Sequence, residues 1–125
     1  MTNKSGINAT LYALMNLLDA AESQTGLAAL DEVSKAIVRA LFERQATGVS
    51  TCITDVSSQC GIDAAPATLL RRLRSLQHTG WLRVVPSTLH HRRQEVLLTP
   101  LALREIQRAS DHAEKALSKI RPAMP

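Results

Sequence analysis

The stretch Asp63–Arg93 constrains the fold more than any other part of this sequence. Its first half carries leucines on one face of a 3.6-residue period and arginines on the opposite face, which predicts an amphipathic basic helix. Pro66 suits the first turn of this helix, Asp63 is a candidate N-cap, and Gly80 is expected to end it in a left-handed conformation. The leucines expected to face the core are Leu69, Leu73 and Leu76.

A β-hairpin pattern follows the basic helix. Trp81–Val85 and Gln94–Leu98 each show the two-residue alternation of a half-buried strand. The loop between them, Pro86–Arg93, holds a second basic cluster. A basic helix face beside a basic hairpin suits a nucleic-acid backbone better than it suits a pocket for a small substrate.

A short helix is predicted immediately before the basic helix. It spans Cys52–Cys60, Ser50 or Thr51 is expected to cap its start, and Gly61 closes it before a tight turn. A short helix, a turn and a basic helix form the helix-turn-helix pattern. A hairpin directly after that pattern is the wing of a winged helix.

Helices are also predicted in the rest of the chain. They cover Ile7–Glu22, about Leu30 or Asp31 to Gln45, and Pro100 to about Ile120. Thr99 is expected to cap the last helix, with Pro100 in its first turn. We therefore predict one domain, residues 1–125, that is mainly α with a small β-hairpin: a winged helix-turn-helix core flanked by N- and C-terminal dimerisation helices. The core covers residues 30–98, and the end helices cover residues 7–22 and 100–120.

The apolar stripes of the two end helices have no obvious partner within a small winged-helix core. The last helix repeats apolar or small residues at spacings of three and four, which is the seam of a coiled coil. We predict that both helices pair with a second copy, because a two-fold dimer presents two basic helices to successive major grooves. The predicted dimerisation residues are Ile7, Leu11, Leu14, Leu18, Leu103, Ile106, Ala113, Leu117 and Ile120.

The net charge of +4 is unevenly distributed. Residues 62–98 carry six arginines against two acidic residues, whereas residues 1–61 carry four basic and six acidic residues. This localised charge favours a nucleic-acid partner more than a general basicity would. The chain has no apolar run long enough for a transmembrane helix, so we expect a cytoplasmic protein without a membrane partner.

Metal binding, catalysis and thiol chemistry find little support in the sequence. Adjacent histidines in an extended loop point in opposite directions, and neither His90 nor His91 has a cysteine or acidic partner at ligand spacing. The chain has no glycine-rich phosphate loop, no paired acid and base at motif spacing and no nucleophile signature, so we predict no cofactor and no enzyme. Cys52 and Cys60 are separated by ~12 Å of helix rise, too far for a disulfide, and are interpreted as core residues.

The main alternative function is a winged helix that binds proteins rather than DNA, as an adaptor or an anti-regulator would. The arginine-rich helix face and hairpin argue against it, since the centre of a protein-binding surface is usually rich in exposed aromatic residues or methionine. A small-molecule effector is compatible with a regulator, but the sequence does not assign residues to it.

Several short motifs of this chain resemble those of the MarR family of winged-helix transcriptional regulators. The motifs are Ile53–Gly61, Pro66–Arg71, Leu76–Leu82, Arg92 and Leu98–Pro100. The resemblance covers about residues 30–108 and implies a homodimeric, helical protein with one small hairpin. Such proteins bind palindromic operators and are often released by a small ligand or by oxidation. The chain departs from the family pattern at His90, which replaces an acidic residue of the wing, and by two extra residues between Gly61 and Thr68.

The resemblance also implies positions for DNA contacts. Ala67, Thr68 and Arg71 fall at the start of the recognition helix, and Arg92 falls at the position of the wing arginine. Arg71 is the best candidate for a base edge, as a bidentate partner of guanine in the major groove. Thr68 and Ala67 are expected near a thymine methyl group or a phosphate, and Arg92 with Arg93 in the flanking minor groove.

The sequence therefore predicts a double-stranded DNA-binding transcriptional regulator that recognises a specific sequence, namely a homodimeric repressor of a palindromic operator. Phosphate contacts are expected from the remaining basic residues of the recognition helix and from the start of the short helix. The complete set of predicted DNA-binding residues is Thr51, Thr54, Ala67, Thr68, Arg71, Arg72, Arg74, His78, Arg83, His90, His91, Arg92 and Arg93.

Overall fold

The computed structural model describes residues 9–88 and 92–120. Within these ranges the chain forms five α-helices, one short 3-10 helix at Gly26–Ala29 and a two-stranded antiparallel sheet. The elements are α1 Ala9–Ser23, α2 Glu32–Ala46, α3 Ile53–Gln59, α4 Pro66–His78, β1 Leu82–Pro86, β2 Gln94–Leu98 and α5 Pro100–Ile120. The predictions for Ile7, His90 and His91, and for the side chain of Ile120, lie outside the described residues.

The chain divides into two compact units. One consists of Leu30–Arg104 and contains α2, α3, α4, the hairpin and the start of α5. The other consists of Met1–Ala29 and Glu105–Pro125, and its described part contains α1, the 3-10 helix and the rest of α5. The order of helices and strands in the first unit is that of a winged helix, which confirms the predicted fold class.

The core of the winged-helix unit is built from aliphatic side chains. The helix face predicted for α4 is buried along its whole length, because its leucines recur at the helical period. Among the other elements, Ile37 and Val38 of α2 and Val56 of α3 are almost completely buried. The buried leucines of α4 are Leu69, Leu73 and Leu76.

The hairpin has a simple antiparallel register, with Leu82 opposite Leu98 and Pro86 opposite Gln94. Leu82, Val96 and Leu98 are buried, as the alternation in sequence predicts. The sequence did not reveal that the chain just before α3 also joins β2. Val96 N–H donates to the carbonyl of Thr51 at 2.8 Å, and Cys52 forms an isolated bridge with Glu95.

The starts of α3 and α4 differ from the predictions. Cys52 is the N-cap of α3, and its N–H donates to Asp55 Oδ2 at 2.9 Å, so neither Ser50 nor Thr51 caps this helix. Ala65, not Asp63, is the N-cap of α4, and it makes no side-chain capping bond. Ala65 is extended because the proline that follows it disfavours the helical conformation, so α4 begins at Pro66.

The helix ends follow the local signals in the sequence more closely. Pro66 opens α4, and Gly80 follows its C-cap with a φ of +87°. The N–H of Trp81 donates to the carbonyl of Leu76 at 2.9 Å, which completes a Schellman motif and turns the chain into the hairpin. Thr99 caps α5, accepting from the Ala102 N–H at 3.2 Å.

In the second unit, a buried acidic side chain joins α5 to the connection after α1. Glu105 Oε1 accepts from the N–H of Gly26 at 2.7 Å and lies 3.0 Å from Arg108 Nη1. Arg108 also donates to the carbonyl of Gln24 at 3.1 Å. These bonds satisfy backbone groups at the turn that precedes the 3-10 helix.

Candidate nucleic-acid interface

The outward face of α4 carries the residues predicted to read DNA. Because the leucines take the inward face, the intervening positions of the helix point to solvent. Ala67, Arg71, Arg74 and His78 are exposed, and Thr68 is partly exposed. The helix therefore presents its first turns and two arginines on one accessible face.

Arg72 lies on the edge of this face and makes an ion pair. Its Nε is 2.7 Å from Asp31 Oδ2, although the N–H is not aligned for a hydrogen bond. Asp31 is the N-cap of α2, where its Oδ1 accepts from the Ser34 N–H at 2.8 Å. Arg72 therefore joins α4 to α2, while contact of its other donors with phosphate remains a prediction.

Thr51, which was predicted to contact phosphate, lies buried in the structure. The residue is only 3% exposed, and its Oγ1 accepts from Arg44 Nε at 2.7 Å. Its backbone carbonyl accepts from Val96. The residue is fixed between α2 and the hairpin because the segment before α3 pairs with β2, whereas Thr54, one turn further on, is exposed.

The wing brings basic residues next to the start of α3. Below its tip the hairpin is closed by a bond from the Ser87 N–H to the carbonyl of Arg93 at 2.9 Å. Arg83 and Arg92 are exposed, and Arg93 is half-exposed with its Nη1 3.9 Å from Asp55 Oδ1. An open groove of about 480 Å³ separates the wing from α3, and Thr54, Arg92 and Arg93 are among the residues that line it.

A second, smaller groove lies between α4 and the hairpin. It has a volume of about 290 Å³, an apolar floor that includes Leu70 and Val84, and polar side chains from Arg74, Gln77 and Gln94. Residues of α3, α4 and the wing that were predicted to contact DNA line these two grooves, and all of them belong to the winged-helix unit.

Sequence reasoning missed Arg44, because a single arginine near a helix end carries no distinctive signal. Its Nε bonds to Thr51, and its Nη2 donates to Gln59 Oε1 at 3.3 Å. It thereby ties the last turn of α2 to both ends of α3.

The described residues offer no other chemistry at this surface. Burial raises the pKa of the Cys60 thiol, outweighing the nearby positive charge of Arg44, so the thiol is held in its less reactive protonated form. Cys52 is buried. No group of three metal-ligating side chains occurs among the described residues. In the part of the chain that the structure describes, no helix is long and apolar enough to cross a membrane.

No family model and no curated protein matches this sequence. Solved structures do match the fold. RV1404 from Mycobacterium tuberculosis has a TM-score of 0.70 at 14% identity, over 91% of this chain and 73% of that one. The transcriptional regulator Tm0710 from Thermotoga maritima has a TM-score of 0.67 at 16% identity, over 93% of this chain and 78% of that one. A MarR-family transcriptional regulator from a Rhodococcus species has a TM-score of 0.55 at 16% identity, over 93% and 76%.

At these identities the likeness concerns the fold. The chain has a winged helix-turn-helix fold of the kind found in MarR-family regulators, as its sequence motifs predict. Its surface carries exposed basic residues on α4 and on the wing.

Proposed function

We propose that this protein is a transcriptional regulator, not an enzyme, that binds a specific sequence of double-stranded DNA. The observation that carries the proposal is the exposed basic face of α4 beside a basic wing. Solved proteins of the same fold that are described as transcriptional regulators support it. The proposal places the protein in the cytoplasm, where its DNA would be.

The residues of this surface would divide into base contacts and phosphate contacts. Arg71 projects from the exposed face of α4 and would pair with a guanine, which two parallel N–H donors can recognise. Arg74 and His78 further along the helix, and Thr54 of α3, would bind phosphates and fix the register. Arg92 would enter the minor groove beside the wing.

The proposal includes a homodimer that represses from a palindromic operator. Several large apolar side chains of α1 are exposed in the single chain, among them Leu11, Leu14 and Leu18. Leu103 of α5 is exposed as well, and Ile106, Ala113 and Leu117 are partly exposed. A two-fold pairing would cover these residues and present two copies of α4 to successive major grooves.

Fluorescence anisotropy on a duplex from upstream of the gene, measured over a salt series, tests DNA binding. We expect log K to fall linearly with the logarithm of the salt concentration, with a slope of about −0.9 for each phosphate that the protein neutralises. Arg71→Ala is expected to lose ~1–3 kcal/mol of preference for the specific site over random DNA. Arg39→Ala, an exposed arginine of α2 outside the proposed surface, is the matched control and should keep that preference. Absence of binding at low salt by the folded protein would contradict the proposal and favour the protein-interaction module.

A further inference from the structure

The two neighbouring arginines of the wing have different surroundings. Arg93 faces the carboxylate of Asp55 across the groove between the wing and α3, with Nη1 3.9 Å from Oδ1. No hydrogen bond or ion pair joins Arg92 to another residue in the ranges 9–88 and 92–120. We propose that Arg93 braces the wing against α3 through Asp55, and that Arg92 alone of the pair reaches DNA; this rests on the proposed function.

Asp55 is held in place by its own helix before it meets the wing. Its Oδ2 accepts from the Cys52 N–H at 2.9 Å, and Gln59 Nε2 lies 3.4 Å from its Oδ1. Its side chain is only 13% exposed. A carboxylate that is already oriented loses little further side-chain entropy when an arginine approaches, so it is a suitable anchor.

Arg93 is fixed at its backbone on the other side of the contact. Its carbonyl accepts from the N–H of Ser87, the last described bond below the wing tip. The side chain is 50% exposed, so its contact with Asp55 is partly screened by solvent. Arg92 lies in a turn and Arg93 just before β2, and both line the groove beside α3, but of the two only Arg93 makes an ion pair with Asp55.

The brace continues beyond Asp55 into the helix-turn-helix. Gln59, which approaches Asp55, also accepts from Arg44 Nη2 at 3.3 Å. Arg44 in turn holds Thr51, whose carbonyl bonds to β2. The polar contacts therefore run from the wing along α3 to the last turn of α2, and they hold the wing against these two helices.

The first experiment measures DNA affinity for Asp55→Asn, Arg93→Gln and the double variant. Asparagine keeps an oxygen for the Cys52 N–H and removes the charge that faces Arg93. If the pair is a brace, each single variant weakens DNA binding by about two- to fivefold, which is the range expected for an exposed ion pair. The double variant then binds DNA no more weakly than either single variant, because both changes remove the same interaction. If Arg93 itself binds DNA, Asp55→Asn tightens binding because a negative charge near phosphate is lost, and the effects of the two changes add. That outcome overturns the proposal.

The second experiment uses the free protein and does not depend on DNA binding. It measures hydrogen exchange at the Ser87 amide, which reports the opening of the wing. Asp55→Asn and Arg93→Gln are expected to accelerate this exchange, whereas Arg92→Gln leaves it unchanged. Unaltered exchange in Asp55→Asn overturns the brace. Accelerated exchange in a protein that binds no DNA would leave the brace standing and reject the proposed function.

Discussion

Asp31 combines two roles at one side chain. One carboxylate oxygen caps α2 through the Ser34 N–H, and the other approaches Arg72 of α4. The hydrogen bonds from Ser34, with a smaller contribution from Arg72, hold the pKa of the Asp31 carboxyl below its ordinary value of 3.8. The ionised form is therefore favoured by folding, so the contribution of Asp31 to stability is present above pH 3.8 and is lost as the pH falls through the lower folded-state pKa.

This dual role predicts a graded response to substitution. Asp31→Ala is expected to lower the free energy of unfolding by about 1 kcal/mol, because a capping oxygen is lost. Asp31→Asn keeps an acceptor for the Ser34 N–H and should cost less. Urea unfolding at neutral pH and near pH 2 checks the electrostatic part: the gap between wild type and Asp31→Asn should shrink in acid. A gap of constant size would show that the charge of Asp31 does not contribute.

At the level of elements, the end of α4 depends on one glycine. Gly80 has a φ of +87°, and a Cβ built there would lie 3.7 Å from Leu101 Cδ2, an ordinary contact. Space is therefore available for a side chain, and the strain lies in the backbone. Gly80→Ala is expected to lower the free energy of unfolding by about 1–2 kcal/mol, since alanine disfavours the left-handed region.

The matched variant for this prediction is Gly80→Asn. Asparagine adopts the left-handed conformation more readily than alanine, so it should retain more stability although its side chain is larger. Chemical denaturation of the three proteins distinguishes backbone strain from crowding. An asparagine variant less stable than the alanine variant would indicate crowding and contradict the backbone explanation.

The same helix shows which features of the fold can be predicted from sequence. The leucine period, Pro66 and Gly80 are local signals, and each correctly predicted the buried face, the start or the end of α4. The N-caps were predicted less well because several residues compete for the role. Asp63 lies two residues before the true cap, and the reach of Asp55 back to Cys52 decides the start of α3.

In the candidate DNA-binding site, too, the features that depend on local signals could be predicted from the sequence, and the long-range contacts could not. The exposure of Arg71 and Arg74 is a consequence of helical periodicity, which the sequence contains. The contact of Arg72 with Asp31, the burial of Thr51 and the approach of Arg93 to Asp55 depend on segments far apart in the chain. Local patterns do not specify which distant segments meet, so a basic residue that packs against the fold looks the same in sequence as one that is free to bind DNA.

At the scale of the whole molecule, the proposed dimer depends on the unit that contains α1. An open groove of about 580 Å³ runs between α1 and α5 in this unit. Small side chains, including Ala13, Ala20 and Ala116, leave it wide, and Lys115 and Lys119 line it as well. Exposed leucines on α1 and a groove on the same unit together offer a surface on which a second copy could pack closely.

Leu14→Glu tests this surface, because Leu14 is 45% exposed and a charge there should not disturb the core of a single chain. We expect sedimentation equilibrium to give a dimer for wild type and the 13.6 kDa monomer for the variant. Val49→Glu, at a site 44% exposed in the winged-helix unit, should remain dimeric. In the monomeric variant the two recognition helices are no longer linked. Its affinity for a full palindrome should therefore fall by about 10²–10⁴-fold, while its affinity for a half-site stays unchanged. A monomeric wild type that binds the palindrome tightly would show that one winged helix suffices.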